Sequence, residues 1–140
     1  MTTGTKFNQF VEDMAEKVHN LGADTLKVML TNTAPTAANA IKSDITEISA
    51  GNGYTAGGTA ATISSSVQTS GTYKLTLADV IFTATGAVGP FRYAVLYNDT
   101  PTSPLKPLIA WFDYGSSISL ASGETFTVDF DATNGVLTVV

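Results

Sequence analysis

Apolar positions follow two different periods along this chain, and the change falls near Gly22. Before it, Phe7, Phe10, Val11, Met14, Val18 and Leu21 recur at the i, i+3, i+4, i+7 spacing of one helix face. Glu12, Asp13, Glu16, Lys17 and His19 make the polar face. This predicts an N-terminal helix of about four turns within residues 1–22. Thr5 or Asn8 is its N-cap, and Gly22 is the glycine that ends it. Two phenylalanines on such a helix favour packing on its own domain, closing the open face of a sheet.

After Gly22 the period drops to two. Leu26, Val28 and Leu30 share one face of a first strand. Residues 31–58 are turn-rich and weakly hydrophobic, with Ile41, Ile45 and Ile48 as anchors of an irregular connection. Strands resume at Thr59 to Gln68 and Tyr73 to Leu77, separated by the turn Thr69-Ser-Gly-Thr72. Further strands are read at Val80 to Thr85, Phe91 to Asn98, Leu108 to Gly115, Ser117 to Leu120, Glu124 to Phe130 and Val136 to Val140. In the strongest of them, alternation puts Phe91, Tyr93, Val95 and Tyr97 on one face and Arg92, Ala94 and Leu96 on the other. Asn134-Gly135 is a type I′ hairpin signal before the last strand. The expected fold is mainly β: a single domain, 1–140, forming an antiparallel β-sandwich or barrel with one N-terminal α-helix.

Composition narrows the function. At 140 residues the chain can bury a core without staples, and it has no cysteine, which excludes thiol chemistry, disulfides and cysteine-zinc sites. Net charge is −5, with Arg92 the single arginine and the lysines scattered, so no phosphate-neutralising patch for nucleic acid exists. No apolar run reaches the roughly 20 residues of a membrane span, and the first residues lack a signal-peptide core, giving an expectation of cytoplasmic synthesis. Charged residues are only 14% of the chain. A surface of Thr, Ser, Asn and Gly suits lasting contact with other subunits, because fewer charges must be desolvated.

The search for chemistry is short. His19, near Glu12 and Glu16, is one imidazole without a second, a weak metal site that reads as a solvated helix position. No Gly-x-Ser-x-Gly elbow accompanies it. Asp129 to Gly135 misses the calcium-loop register by one residue and lacks the closing glutamate, leaving only a weak site shared with Asp113 or Asp99. Asp113, Glu124, Asp129 and Asp131 could supply a glycosidase carboxylate pair, but spacing in sequence cannot place them across a sugar. Tyr54, Tyr73, Tyr93, Tyr97, Trp111 and Tyr114 could stack on sugar rings or fill the core, with Trp111 favouring core or interface. The reading is no enzyme, no cofactor and no metal.

What stands out is Glu47 to Thr62, where Gly51, Gly53, Gly57 and Gly58 surround the single bulky residue Tyr54. No Lys-Ser/Thr follows, so it is no phosphate loop. It reads as a bent, close-packing hinge between the connection and the β-core. The blocks Leu26-Lys-Val-Met-Leu-Thr-Asn-Thr-Ala-Pro, Ile48-Ser-Ala-Gly-Asn-Gly-Tyr-Thr-Ala-Gly-Gly-Thr, Arg92-Tyr-Ala-Val-Leu-Tyr-Asn and Leu108-Ile-Ala-Trp-Phe-Asp-Tyr-Gly run in this order over nearly the whole chain. In that order the chain resembles small virion structural proteins of tailed bacteriophages. The resemblance implies a capsid decoration, or cement, protein on the outer surface of the head. Its partners would be the major capsid protein and copies of itself in a homo-oligomer. The alternative within the resemblance is a tail or head-fibre adhesin that binds host carbohydrate. Candidate interface residues are Phe7, Phe10, Tyr54, Gly57, Gly58, Pro101 and Pro104, drawn from the helix, the hinge and the proline-studded loop 99–107.

Overall fold

Every strand pairing in the computed structural model, which describes residues 4–140, is antiparallel. Met1 to Thr3, the start of the expected 1–22 arm, lie outside the described residues. The elements are β1 (Thr5–Lys6), α1 (Asn8–Ala15), β2 (Leu26–Thr31), β3 (Thr59–Ala61), β4 (Ile63–Thr69), β5 (Thr72–Leu77), β6 (Val80–Thr83), β7 (Val88–Asn98), β8 (Leu108–Leu120), β9 (Thr125–Val128) and β10 (Leu137–Val139). A five-stranded sheet runs β1-β8-β7-β2-β3, beside a three-stranded sheet β10-β5-β4 and a two-stranded sheet β6-β9. The fold is a mainly β, antiparallel sandwich with one helix near the N-terminus.

The sandwich core lies between these sheets. Leu26, Val28 and Leu30 of β2, with Phe91, Ala94 and Leu96 of β7, meet Leu75 and Leu77 of β5, Val80 and Phe82 of β6, and Phe126 and Val128 of β9. Burying each of these side chains other than that of Ala94 contributes about 1.5–3 kcal/mol. Phe91 packs edge-on against Phe126 at 4.9 Å. The alternation expected for β7 breaks at this point: the register shifts between Phe91 and Tyr93. The bulge turns Phe91 into the core with Ala94 and Leu96, while Val95 and Tyr97 face the other way.

That second face is also covered. Phe7, Met29, Val95, Tyr97 and Leu108 form a separate cluster, closed by Trp111 and by Ile45 from the 32–58 connection. The connection is irregular, as its composition predicts, apart from a 3-10 turn at Lys42–Asp44.

The helix differs from the expectation. It is eight residues long, Asn8–Ala15, about two turns. Phe7 is its N-cap by backbone geometry and its ring belongs to the second cluster, 4.7 Å from Trp111, so it is not on the face carrying Phe10. The stop is at Lys17, which takes the left-handed conformation (φ 68°), and not at Gly22. The Val18 N–H then bonds the Asp13 carbonyl at 2.9 Å, the C″-to-C3 bond of a Schellman motif. Apolar spacing continued past Lys17 because Leu21 is buried for its own reasons, in the loop that follows.

The turn at Ser70-Gly71, both with positive φ, joins β4 to β5 as the composition predicts. Asn134-Gly135 does not make a hairpin. The Asp131 carboxylate takes the N–H groups of Thr133 and Asn134, and β10 crosses to pair with β5 instead of β9.

Gly58 has no room for a side chain: its φ is +81°, and a Cβ would fall 1.8 Å from the Val28 carbonyl oxygen. Gly58→Ala is expected to lose roughly 3 kcal/mol or more of stability. Lys17→Gly, which relieves a left-handed lysine, is expected to gain about 0.5–1 kcal/mol. Urea unfolding midpoints check both, and unchanged midpoints would refute these accounts.

Candidate functional site

Helix α1 is thinly anchored, with only Phe10 and Asp13 buried. Its i, i+4 pairs Phe10/Met14 and Val11/Ala15 line one wall of a groove of 710 Å³. Ile109 and Ala110 of β8 lie along it, Gly4 and Lys6 lie at the β1 edge, and residues 136–140 form the opposite wall. Val11 is 54% exposed and Val139 46%. Among the described residues Lys6 is the one charged side chain along the groove, and Thr138 supplies the hydroxyl. The surface therefore offers apolar area to a partner, with one ammonium at its margin. It also lies where the edge strands β1 and β10 of two different sheets come together.

The sequence-derived interface residues are distributed otherwise. Phe7, Phe10 and Tyr54 are buried within the fold. Of these, Phe10 alone lines the groove. Gly57, Gly58, Pro101 and Pro104 are half-buried. Pro104 and Ser103 line a smaller hollow of 420 Å³ with Gln9, Glu12, Asp13, Ala40 and Ile41, on another side of α1. The proline loop is stitched to the connection: the Lys42 N–H bonds the Lys106 carbonyl at 2.8 Å, and the Leu108 N–H bonds that of Ala40 at 3.0 Å. Leu105 is its exposed apolar tip.

The glycine-rich hinge is a polar clasp. The Tyr54 hydroxyl accepts the Leu30 N–H at 3.0 Å and donates to the Glu47 carboxylate at 2.6 Å. Glu47 also accepts the Gly57 N–H at 2.6 Å and Lys42 Nζ at 3.1 Å, while Tyr97 donates to the Gly57 carbonyl at 2.6 Å. Burial pushes the Tyr54 and Tyr97 hydroxyls well above the ordinary phenol range, which keeps both as hydrogen-bond donors. Tyr54 closes the connection onto β2, and Gly58 lets the backbone approach close enough for it.

Three of the candidate liganding groups, Asp113, Asp131 and Asp99, have partners already. Hydrogen bonds from Arg92, at 2.8 and 3.1 Å, hold the Asp113 carboxyl below its usual range, aided by the Gly115 N–H. Bonds from Asn134, then Thr133, do the same for Asp131. At Asp99 burial acts to raise the pKa, and hydrogen bonds from Lys106 and Lys27 outweigh it. Among the described residues, no group of three or more His, Asp or Glu could hold a metal. No described helix is long and apolar enough to cross a membrane.

His19 is the residue that pattern reading misplaced. It is 9% exposed, lies beyond the helix end and packs against Phe10 at 5.1 Å. Nothing in the periodicity marked it, because its burial depends on Asn98, 79 residues away.

Comparison with protein-family profiles, curated proteins and solved structures gave no match.

Tyr54→Phe tests the clasp. It strands the buried Leu30 N–H and one bond of Glu47, and is expected to cost about 1–3 kcal/mol. Denaturant unfolding measures the loss, and a change below about 0.5 kcal/mol would show that the hydroxyl is dispensable.

Proposed function

We propose that this chain is a non-enzymatic virion structural protein, a decoration or cement protein that docks on the outer surface of an assembled tailed-phage head. Its partners are the major capsid protein and further copies of itself. The observation that carries the reading is the open apolar groove between α1 and β10, rimmed by exposed valines on a chain with few charges. Contiguous apolar surface of this kind marks interaction sites more than solvent-facing skin.

The order of sequence blocks, through its resemblance to small phage virion proteins, favours the same class. Physical fit adds to it: a cement protein acts through many copies, so each contact can be small while the assembled lattice gains their product. The occupant of the groove in this reading is an apolar segment of a capsid subunit. An adhesin reading is favoured by one observation, the Tyr114 ring, about half exposed and stacked on Phe126 at 5.6 Å.

Co-sedimentation with phage heads that lack this protein tests the proposal. Wild type is expected to pellet with heads. Val11→Asp combined with Val139→Asp should weaken that binding by about tenfold or more and leave stability within about 0.5 kcal/mol. A protein that ignores heads and is retained on a glycan array would overturn the decoration reading in favour of the adhesin.

A further inference from the structure

His19 sits in a hydrogen-bond frame whose polarity can be read atom by atom. The Asn98 side chain, fully buried at the end of β7, donates from Nδ2 to the Asp24 carboxylate at 2.7 Å, and its Oδ1 accepts the Thr100 N–H at 3.1 Å. A carboxylate can only accept and an N–H can only donate, so these two partners determine which end of the amide is nitrogen. The same Nδ2 lies 3.0 Å from His19 Nδ1. Nδ1 must therefore accept, and the neutral ring carries its proton on Nε2. Further bonds tie this turn to the strand end: the Asn20 N–H to Asp24 at 2.8 Å, the Asp99 N–H to the Thr25 carbonyl at 2.8 Å, and the Thr25 N–H to the Thr100 hydroxyl at 2.8 Å.

Protonating Nδ1 sets two donors against each other at the centre of this frame. Asn98 cannot resolve the conflict by flipping. A flip turns its oxygen toward the Asp24 carboxylate and its NH₂ toward the Thr100 N–H, replacing two good bonds with two repulsions. We propose that His19 is a proton-operated latch: as the neutral imidazole it fastens the 16–25 turn to the end of β7, and protonation releases that turn together with the C-terminal end of α1. Because α1 is a wall of the apolar groove, release would reshape the groove. The latch itself does not depend on what docks there.

The groups around the ring set the sign. Asp13 faces it from α1 and Asp24 from its own turn, and both favour the cation. Lys17 lies along the same cleft, and across it Ser66 and Tyr73 are bonded to each other at 2.7 Å. Beyond Asn98, the Asp99 charge is taken by Lys27 and Lys106. Burial outweighs the two carboxylates and lowers the His19 pKa from its ordinary value of 6.5. A histidine lowered by folding contributes stability that is present above about pH 6.5 and is lost as pH falls toward the folded value. Release therefore belongs to mild acid.

His19 is the chain's single histidine, which makes the test clean. Hydrogen exchange of residues 13–25, corrected for intrinsic rates, is compared at about pH 7.5 and about pH 5. Wild type should lose protection by about tenfold or more at the lower pH. His19→Gln, whose side-chain oxygen can still accept from Asn98, should exchange alike at both. Equal protection of wild type at the two pH values, or an undiminished pH effect in His19→Gln, would overturn the latch. A long-range proton–nitrogen NMR spectrum of wild type needs no variant. It should show the Nε2–H tautomer at about pH 7.5, and finding the proton on Nδ1 would equally overturn it.

Discussion

A sheet buried on both faces needs two covers, and here only one of them is another sheet. The inner face of the five-stranded sheet meets β5, β6 and β9. The outer face, with Met29, Val95, Tyr97 and Leu108, has the N-terminal Phe7 and the irregular 32–58 connection. A connection without regular structure brings unpaired backbone groups onto apolar surface, which is costly unless they find partners. Glu47 and Tyr54 supply those partners. One carboxylate and one hydroxyl gather Lys42 Nζ, the Gly57 N–H and the Leu30 N–H, reinforcing the single bridge between Thr31 and Glu47. The glycines follow from this constraint, since Gly58 lies against β2 at a distance that no Cβ permits. The hinge thus holds the outer layer shut, and Tyr54 turns inward because its hydroxyl is needed there.

Much of the architecture was legible in hydrophobic periodicity, because strands with one inner face must alternate. β6 and β9 alternate in burial as their sequence pattern does, and β2 keeps Leu26, Val28 and Leu30 together in the inner core. The reading failed where one residue's displacement changes everything downstream of it. A bulge between Phe91 and Tyr93 moved Phe91 to the face opposite its apparent partners. The helix was overextended because the 3.6-residue period could not distinguish Phe7 and Leu21, which flank the helix and are buried elsewhere, from residues on its face. Lys17 in a left-handed conformation is a stop without the usual glycine. At Asn134-Gly135 the hairpin signal was outweighed by the Asp131 carboxylate, which satisfies the local N–H groups without a turn back.

The groove was less legible than the fold, for a geometric reason. Its walls come from α1, the β1 edge, β8 and the last strand, segments at opposite ends of the chain with no shared motif. Exposed Val11 and Val139 look like ordinary core residues in sequence, while the conspicuous aromatics Phe7 and Tyr54 are spent inside. Large side chains dominate interfaces only when they are left outside. In a chain of this size the core takes them first.

The same thin anchoring that opens the groove makes the helix depend on polar contacts. α1 buries only Phe10 and Asp13, and Phe10 rests against the His19 ring while the Asp13 carbonyl holds the turn that delivers His19. Apolar packing alone, about 1.5–3 kcal/mol for one phenylalanine, is small for positioning an eight-residue helix that is marginal in isolation. At its start the helix is held by the buried Phe7 and by the bonds of Phe7 and Asn8 to Ile109 and Ala37; at its end the constraint includes the frame around Asn98, where each bond is directional and a single added proton reverses one of them. In the proposed latch the wall would have two arrangements, bonded and released, set by directional bonds. In that latch the distinction would couple the C-terminal end of α1, and with it one wall of the groove, to the protonation of one imidazole.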